Sequence, residues 1–418
     1  MNPGHDNRGT ECHFVIKNIL LLISVTLCYG CTTLPIVERS DSYILPDTGN
    51  TLLGQLTAVQ SGRHPNESAI VLLDTGREAF TSRIVLADAA EASLDAQYYI
   101  WNADTTGHLL ADRLLRAAER GVRVRLLLDD YGTGNKDNEL FALDTHPNVE
   151  VRVYNPFSEG YRSGLRKWTS LATGFSRLSR RMHSKTYIAD NSLVIVGGRN
   201  IGDEYFDARQ DMNHRDRELL AAGPVVATAG KQFDEMWNSQ WAIPISALVS
   251  FELSPEEVQK KYLDLKKYAG DENNHPYPLP DSRKSQQKLI DNWFDTATWA
   301  PAEFVYNPPV ITGGDEANGT VIANHLIELL NHAEREILVE SAYFIISDEL
   351  LQRVDPLLER NIRILALTNS LATTDVWTIH AGYTRNRKAI IRRGIGLHEF
   401  RPDAASCRRL VENRQLEC

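Results

Sequence analysis

Residues 182–190 are Met-His-Ser-Lys-Thr-Tyr-Ile-Ala-Asp, and residues 193–200 are Leu-Val-Ile-Val-Gly-Gly-Arg-Asn. Alternate residues of a strand point to the same face, so His183 and Lys185 are predicted to share one face. This places a nucleophile or base beside a fixed positive charge. The double glycine at 197–198 would let the backbone approach a bound group closely. The combination predicts a site that holds a phosphate and attacks it. The alternative is an exposed strand pair without a chemical role.

The spacing H-x-K-x4-D-x6-G-G-x-N resembles the signature of the phospholipase D superfamily. The resemblance implies an α/β fold, a duplicated sandwich of mixed β-sheets flanked by helices, with one motif in each half around a shared site. It also implies a phosphodiesterase or phosphatidyl transferase that uses no metal and no cofactor. One histidine attacks phosphorus to give a phosphohistidine, and a histidine from a second motif protonates the leaving alcohol.

The resemblance also implies roles for the individual motif residues. His183 corresponds to the nucleophile or to its acid counterpart. Lys185, Asn200 and Gly198 correspond to the groups that hold the phosphate oxygens. Asp190 corresponds to the motif aspartate, which we expect to be a structural brace more than a proton carrier.

A further carboxylate is expected in the segment Arg215-Asp216-Arg217-Glu218, which precedes Gly223-Pro224. Members of the superfamily often carry an acid here that orients the histidine ring. Asp216 is predicted to fill this role, because a carboxylate on one ring nitrogen fixes the tautomer and stabilises the imidazolium. Glu218 lies on the same predicted strand face and is the alternative.

Composition limits the possible functions. The chain has 418 residues, which favours two or three domains, and a formal net charge of −10. That charge disfavours nucleic acid as a partner, because binding to phosphate backbones usually comes with a basic surface. A local cluster of basic residues precedes the motif and is either a solvated loop or a patch for anionic head groups. It comprises Arg162, Arg166, Lys167, Arg177, Arg180 and Arg181.

Residues 1–31 are predicted to be a signal or lipoprotein leader. Lys17 precedes an apolar stretch at 19–27 that is too short to span a bilayer comfortably. Gly30-Cys31 resembles a bacterial lipobox, which implies lipidation of Cys31 and attachment to a membrane of the bacterial cell envelope. The alternative is a buried N-terminal helix. Cys407 and Cys418 could form a disulfide in an oxidising compartment, and the sequence leaves that pairing open.

The rest of the chain alternates strand and helix patterns, which predicts sheets covered by helices. Residues 32–75 are expected to be a polar lead-in and residues 76–245 a first half that carries the motif. A charged helix and linker are predicted at 246–300, and a second half at 301–418. Predicted strands of the first half lie at 93–101, 122–128 and 149–154. Predicted helices lie at 80–92, 107–120 and 224–237.

Three segments of the first half recur in order in the second. Residues 97–101 match 341–345, residues 121–130 match 361–370, and residues 153–157 match 399–403. The last two matches have offsets of 363 − 123 = 240 and 402 − 156 = 246, which would put a second motif histidine near 423 or 429. No H-x-K follows residue 185 in the sequence. We therefore expect a two-motif enzyme with an incomplete second half. A homodimer that shares motifs is the less favoured alternative.

Four segments are similar to bacterial cardiolipin synthases of the third class, which lack paired N-terminal membrane spans. They are residues 96–104, 127–132, 198–206 and 369–383. The resemblance implies transfer of a phosphatidyl group to the headgroup alcohol of a second phospholipid. Phosphatidylglycerol and phosphatidylethanolamine are the candidate substrates, on a membrane surface. A phospholipase or nuclease that uses water, and an inactive membrane-attached remnant, are the alternatives.

Overall fold

The computed structural model describes residues 37, 39–132, 137–156, 181–249, 251–309, 321–346 and 348–402. Within these ranges the chain forms a nine-stranded sheet and a three-stranded sheet, both flanked by helices. The predicted α/β class is therefore confirmed. Every helix in the described ranges is too short or too polar to pass through a bilayer.

Nine strands form the larger sheet: β1 (Ser68–Leu73), β2 (Ser93–Ile100), β3 (Arg123–Gly132), β4 (Val149–Tyr154), β5 (Thr186–Ala189), β6 (Leu193–Gly197), β7 (Glu218–Ala222), β8 (Ala242–Pro244) and β9 (Thr298–Ala300). Their order is β8-β4-β3-β2-β5-β6-β7-β1-β9. The pairs β2–β3 and β3–β4 are parallel, and the other neighbours are antiparallel. The strands around the motif therefore join a parallel unit to an antiparallel one.

The described part of the chain has seven helices that precede or surround this sheet: α1 (Leu52–Ser61), α2 (Gly76–Ala89), α3 (Thr105–Glu119), α4 (Asp137–Asp144), α5 (Val225–Trp237), α6 (Pro255–Gly270) and α7 (Arg283–Thr296). Their ends follow local capping rules. Thr75 and Glu78 form a capping box at the start of α2, and Asp104 caps α3. Gly121, with a φ of 96°, follows the end of α3 as the sequence predicts.

The larger sheet extends beyond the predicted first half at both ends. β1 lies in the predicted lead-in and pairs with β7, while β9 lies in the predicted linker and pairs with β1. Helix α1 also lies in the lead-in. These short strands carry little local signal, because their pairing partners are distant in the sequence.

The two faces of the larger sheet are covered differently. On one face, α2 and α3 pack their apolar side chains, including Phe80 and Leu110, against the strands. On the other face, α5 packs through Phe233 and Trp237. This second face also holds a buried ionic network, in which Arg125 contacts Asp95 at 2.7 Å and Asp234 at 2.9 Å. The segment 39–45 crosses the same face, and Arg125 donates to the carbonyl of Ser42.

The smaller sheet consists of β10 (Glu336–Glu340), β11 (Arg363–Asn369) and β12 (Gly396–Phe400), all parallel. Its helices are α8 (Val321–Asn331), α9 (Asp348–Glu359) and α10 (Trp377–Arg392). One face packs a small core that includes Leu351, Ile364 and Ile390. The alternate residues Leu338 and Leu365 belong to the opposite face, where Leu338 is 67% exposed.

The parallel strands β10, β11 and β12 repeat the arrangement of β2, β3 and β4, but one predicted match shifts by a residue. β3 and β11 differ by 240, so Arg125 corresponds to Leu365. Asp95 pairs with Arg125, and Leu338 pairs with Leu365. The structural offset between β2 and β10 is therefore 338 − 95 = 243, whereas the sequence match gave 341 − 97 = 244. The register of strand pairing defines which residues of β2 and β10 are equivalent. The sequence match, which rested on aromatic residues, was therefore wrong by one residue.

Candidate active site

His183 and Lys185 lie immediately before β5 and not within it. β5 is antiparallel to β2, and Thr186 pairs with Gln97. The two motif residues are consequently held at the carboxyl end of β2. They therefore do not share a strand face as the sequence had predicted. Instead the two side chains are in direct contact, with Lys185 Nζ 3.0 Å from His183 Nδ1.

The Lys185 ammonium also donates to the backbone carbonyl of His183 at 2.7 Å. Since an ammonium group only donates, His183 accepts at Nδ1 while Lys185 is charged. Lys185 is buried, whereas His183 is open to solvent on one side. The ring of His183 packs against Tyr99 with centroids 4.8 Å apart, and Lys185 Nζ lies 5.6 Å from the centroid of the same ring.

Both motif groups have a lowered pKa. Burial, together with the positive charge of Lys185, lowers the pKa of His183 to about 4. Burial lowers the pKa of Lys185 to about 8, and the carboxylates of Asp216, Glu218 and Asp129 partly oppose that shift. At neutral pH the imidazole is therefore uncharged beside a cationic ammonium. The lone pair of the neutral imidazole is on Nδ1, and it can attack once the Lys185 ammonium turns from Nδ1 to a phosphoryl oxygen, whose charge the ammonium can stabilise.

Tyr99 and Tyr131 form an aromatic pair beside this site that the sequence did not suggest. Their rings are stacked with centroids 5.4 Å apart, and Tyr131 is 63% exposed. Tyr99 lies in the predicted strand 93–101, and Tyr131 follows two aspartates at the end of β3. One sequence feature could have identified this pair. Both tyrosines lie at the carboxyl ends of neighbouring parallel strands, where ligands bind in α/β sheets.

Asp129 was also missed as a site residue. Its buried carboxylate accepts hydrogen bonds from the N–H groups of Met182 and Tyr131, both at 2.9 Å. Arg181 lies 3.4 Å away. Burial raises the pKa of Asp129 to about 7 despite these partners. The carboxylate fixes the backbone immediately before His183 and therefore helps to position that residue.

Asp190 lies at the opposite end of β5 from His183. Its buried side chain accepts hydrogen bonds from the N–H groups of Glu91, Ala92 and Ser93, the shortest at 2.8 Å. Asp190 has a φ of 49° and turns the chain from β5 into β6. This geometry matches a brace, and it does not bring Asp190 to the imidazole with the other predicted catalytic residues.

Asp216 lies beside the motif but not on the imidazole ring. Within the described residues its carboxylate has no hydrogen bond to His183 and accepts one from the N–H of Arg217. Burial raises the pKa of Asp216, and its cationic neighbours Arg199 and Lys185 oppose the shift. A Cβ atom at Gly198 would overlap this carboxylate. Gly198 therefore leaves room for Asp216, where the sequence suggested room for a ligand.

Asn200 is buried and already has partners at both ends of its amide. Its Oδ1 accepts from the N–H of Ile100, and its Nδ2 donates to the hydroxyl of Tyr205, both at 3.0 Å. The amide therefore ties the loop after β6 to the carboxyl end of β2. A phosphate would compete with Tyr205 for the amide N–H.

Glu218, the alternative orienting acid, is committed to the core. Its carboxylate receives two hydrogen bonds from Arg83, at 2.6 and 2.9 Å, and both side chains are buried. Arg199 is also buried and donates to three backbone carbonyls, those of Leu73, Asp74 and Tyr205. These contacts support the walls of the site and leave Asp216 as the nearer carboxylate.

The second half contacts the first close to these residues. Arg217 lies 3.6 Å from Glu340, at the end of β10. Burial raises the pKa of Tyr205, and the charge of Asp375, from the second half, adds to that shift. Asp375 accepts a hydrogen bond from the Tyr343 hydroxyl at 2.5 Å. The candidate site therefore lies on the side of the first half that faces β10.

Some predicted positions lie outside the described residues. These are the leader with Cys31, and the basic cluster except Arg181, whose guanidinium donates to the carbonyl of Asn155 at 3.0 Å. No group of three or more His, Cys, Asp or Glu residues that could hold a metal ion occurs in the described ranges.

Comparisons with known proteins agree with the motif. A family model described as "Cardiolipin synthase, PLD-like domain" matches residues 84–237. Cardiolipin synthase C of Escherichia coli (strain K12) is 36% identical over 345 residues, which cover 81% of this chain and 71% of that protein. Cardiolipin synthase B of the same strain is 22% identical over 334 residues, covering 79% and 67%. The crystal structure of a Haemophilus influenzae phosphatidylserine synthase aligns with a TM-score of 0.48 and 14% identity over 82% of this chain and 79% of that one.

The site and these relatives define the class of protein. The chain belongs to the phospholipase D superfamily and resembles its bacterial cardiolipin synthases. The predicted family is therefore confirmed.

Proposed function

We propose that this protein is a phosphatidyl transferase of the cardiolipin synthase type, with His183 as the nucleophile. The observation that carries the proposal is the contact between an uncharged, solvent-open imidazole and the buried ammonium of Lys185. In the first step a bond forms between an imidazole nitrogen and phosphorus. The bond from phosphorus to the headgroup oxygen breaks, and that oxygen takes up a proton from water. In the second step an acceptor hydroxyl attacks phosphorus, the N–P bond breaks, and the proton of the acceptor passes to water.

The neighbouring residues have proposed roles in this reaction. Lys185 binds a non-bridging oxygen, and Asn200 donates to another after releasing Tyr205. Asp216 is proposed as a positioning residue that acts through Lys185, and Asp129 as one that acts through the backbone of Met182. Asp190 is proposed to brace β5 without contacting the substrate.

We further propose that this chain turns over slowly by itself. The sequence holds one H-x-K motif, whereas the two-step displacement uses two histidines. Absence of a general acid costs about 10²–10⁴ in rate. Adduct formation is therefore a better readout than product formation.

The test is to trap the covalent intermediate. The full chain is incubated with vesicles containing phosphate-labelled phosphatidylglycerol, quenched with base and digested. We expect an acid-labile adduct on the peptide that contains His183. The variant His183→Asn should carry none, whereas the control His398→Asn, in β12, should retain it. Label that persists in His183→Asn would disprove the proposed nucleophile.

Water is the competing acceptor, because His183 is open to solvent on one side. Lipid analysis of cells that express the chain separates the two outcomes. New cardiolipin that depends on His183 supports transfer to a second phospholipid. Phosphatidic acid without new cardiolipin would assign the protein to the hydrolases. Neither product, together with no adduct, would favour the inactive remnant.

Membrane attachment through Cys31 is proposed from the sequence motif. Cells grown with a labelled fatty acid should incorporate label into the full chain, and the label should be lost in Cys31→Ser. The control Cys28→Ser should keep it. Label that remains in Cys31→Ser would contradict the lipobox assignment.

A further inference from the structure

A cavity of about 320 Å³ lies between α3, α4 and α6. Its volume falls within the range of roughly 300–1,000 Å³ that small-ligand sites occupy. The lining is mainly apolar and aromatic, and it includes Trp101, Ala111, Leu140, Leu143, Leu265 and Tyr268. Trp101, Leu140 and Leu143 are buried. The cavity therefore suits an apolar ligand.

The polar groups of the cavity wall are mostly paired. Lys261 of α6 and Glu139 of α4 approach to 3.5 Å across the gap between these helices. The Tyr268 hydroxyl donates to Thr105 at 3.3 Å. His108 packs its ring against Tyr268, with centroids 5.1 Å apart. The buried Nδ1 of His108 has no hydrogen-bond partner among the described residues. One neutral polar atom is thus left for a ligand.

The cavity adjoins the candidate active site through two chain connections. Tyr99 contacts His183, and Trp101, two residues further along, lines the cavity. Two residues of extended chain span about 7 Å. Asn102 also lines the cavity, and its N–H donates to the carbonyl of Ile201, the residue after Asn200. A phosphate held at Lys185 would therefore lie close to the cavity.

We propose that this cavity holds one acyl chain of the phospholipid whose phosphate is bound at His183 and Lys185. The inference rests on the proposed function, because it is that function that places a phospholipid at the site. The buried apolar part of the lining, Trp101, Leu140 and Leu143, disfavours a charged headgroup there, since an ion moved into an apolar site without a partner is strongly disfavoured. The unpaired ring nitrogen of His108 can donate to an ester carbonyl, a group that every acyl chain of a glycerophospholipid carries.

The test measures binding to the full chain and does not require turnover. The probes are phosphatidylglycerols with acyl chains of four, six and eight carbons, used below their micelle concentrations, and glycerophosphoglycerol, which has no acyl chain. Titration calorimetry should show affinity rising with chain length, by up to about fourfold for each buried methylene. Affinity that is independent of chain length would overturn the proposal.

Matched variants identify the cavity as the source of this dependence. Ala111→Phe fills the cavity and should remove the chain-length dependence while glycerophosphoglycerol binds as before. Leu263→Phe is the control, because Leu263 lies on the exposed side of α6 and is 56% exposed. If Ala111→Phe does not fold, Leu140→Ala enlarges the same cavity and should shift the optimum to longer chains. Unchanged chain-length dependence in the folded variant would disprove the assignment.

His108 is tested by comparing ester-linked and ether-linked lipids of equal chain length. A hydrogen bond contributes about 0.5–1.5 kcal/mol, so the ester should bind roughly 2- to 12-fold more tightly in the natural chain. His108→Ala should remove that preference. A preference that survives the substitution would exclude His108 as the donor to the ester.

The phosphate-free probe methyl decanoate separates this inference from the proposed function. If methyl decanoate binds the natural chain and not Ala111→Phe, the cavity is an acyl site whatever the outcome at His183. If it binds both equally, the cavity assignment fails, and a His183 adduct would still support the transferase. Absence of the adduct, with chain-length dependence intact, would reject the transferase alone.

Discussion

The two parallel-stranded units of this protein have the same strand order, but one face of the sheet is buried in the first unit and exposed in the second. In the first half, Asp95 of β2 is buried and paired with Arg125 of β3, beneath α5. At the equivalent positions of the second half, Leu338 of β10 is 67% exposed and pairs with Leu365 of β11. The face with the polar pair is buried, while the face with the apolar pair is open.

The comparison shows that local pattern and burial are separate properties. Each half forms three parallel strands because strand and helix patterns alternate along it. In the first half, β5, β6 and β7 extend the sheet, and the chain continues into α5, which covers the face. In the second half, the described residues include no strand beyond β12 and no helix over Leu338. Among the described residues, the first half alone therefore forms a walled site, around His183.

Exchanging the equivalent residues should have the largest effect. Asp95→Leu puts the second-half residue into the first half and removes one partner of a buried ion pair. We expect a loss of about 3–5 kcal/mol in the free energy of unfolding, measured by urea denaturation. The reverse exchange, Leu338→Asp, should change it by less than about 0.5 kcal/mol, because the side chain is exposed.

A large loss in Leu338→Asp would mean that the second-half face is covered in solution, which would end the contrast between the halves. A small loss in Asp95→Leu would mean that Asp234 alone compensates Arg125. Both variants need the same denaturant slope as the natural chain for these comparisons to hold.

Substitution of Lys185 should slow adduct formation, whereas substitution of a lysine in the second half should not. Lys185→Met removes the cation that we propose stabilises the phosphoryl oxygens, and we expect adduct formation to slow by about 10²–10³-fold. Lys185→Arg should recover part of the rate. Lys388→Met, in α10, is the matched control and should behave like the natural chain. Equal rates in Lys185→Met and the control would remove Lys185 from the mechanism.

The pH dependence of adduct formation should follow from the two lowered pKa values. The rate should rise as pH increases through about 4, because protonation of His183 below that pH removes the lone pair of the imidazole. It should fall as pH increases through about 8, because Lys185 then loses its charge. Lys185→Arg should move the upper limb to higher pH, since guanidinium stays protonated. An upper limb that does not move would assign it to another group.

The ion pair between the halves should have the smallest effect. Arg217 and Glu340 are 56% and 62% exposed at their side chains and lie 3.6 Å apart. Glu340→Gln should lower the free energy of unfolding by less than about 1 kcal/mol, and by less still in high salt. A loss of several kcal/mol would show that this contact holds the halves together.

Much of the fold followed from local pattern. The alternation of apolar residues and the glycine stops predicted β2, β3, β4, α3 and α5 within a few residues. The motif spacing predicted the superfamily and named His183 and Lys185, whose contact is direct. These features depend on residues that are close together in the sequence, so the sequence alone was sufficient to predict them.

The contacts around the imidazole required the tertiary structure. Asp190 reaches the N–H groups of residues 91–93, Tyr99 packs on His183, and Asp129 holds Met182, all across long separations in sequence. Asp216 fills the space beside Gly198 because β6 and β7 pair in one register. Residue types and spacing therefore determined the superfamily, while the pairing of distant strands decided which side chains surround His183, because a shift of one residue in register exchanges the two faces of a strand.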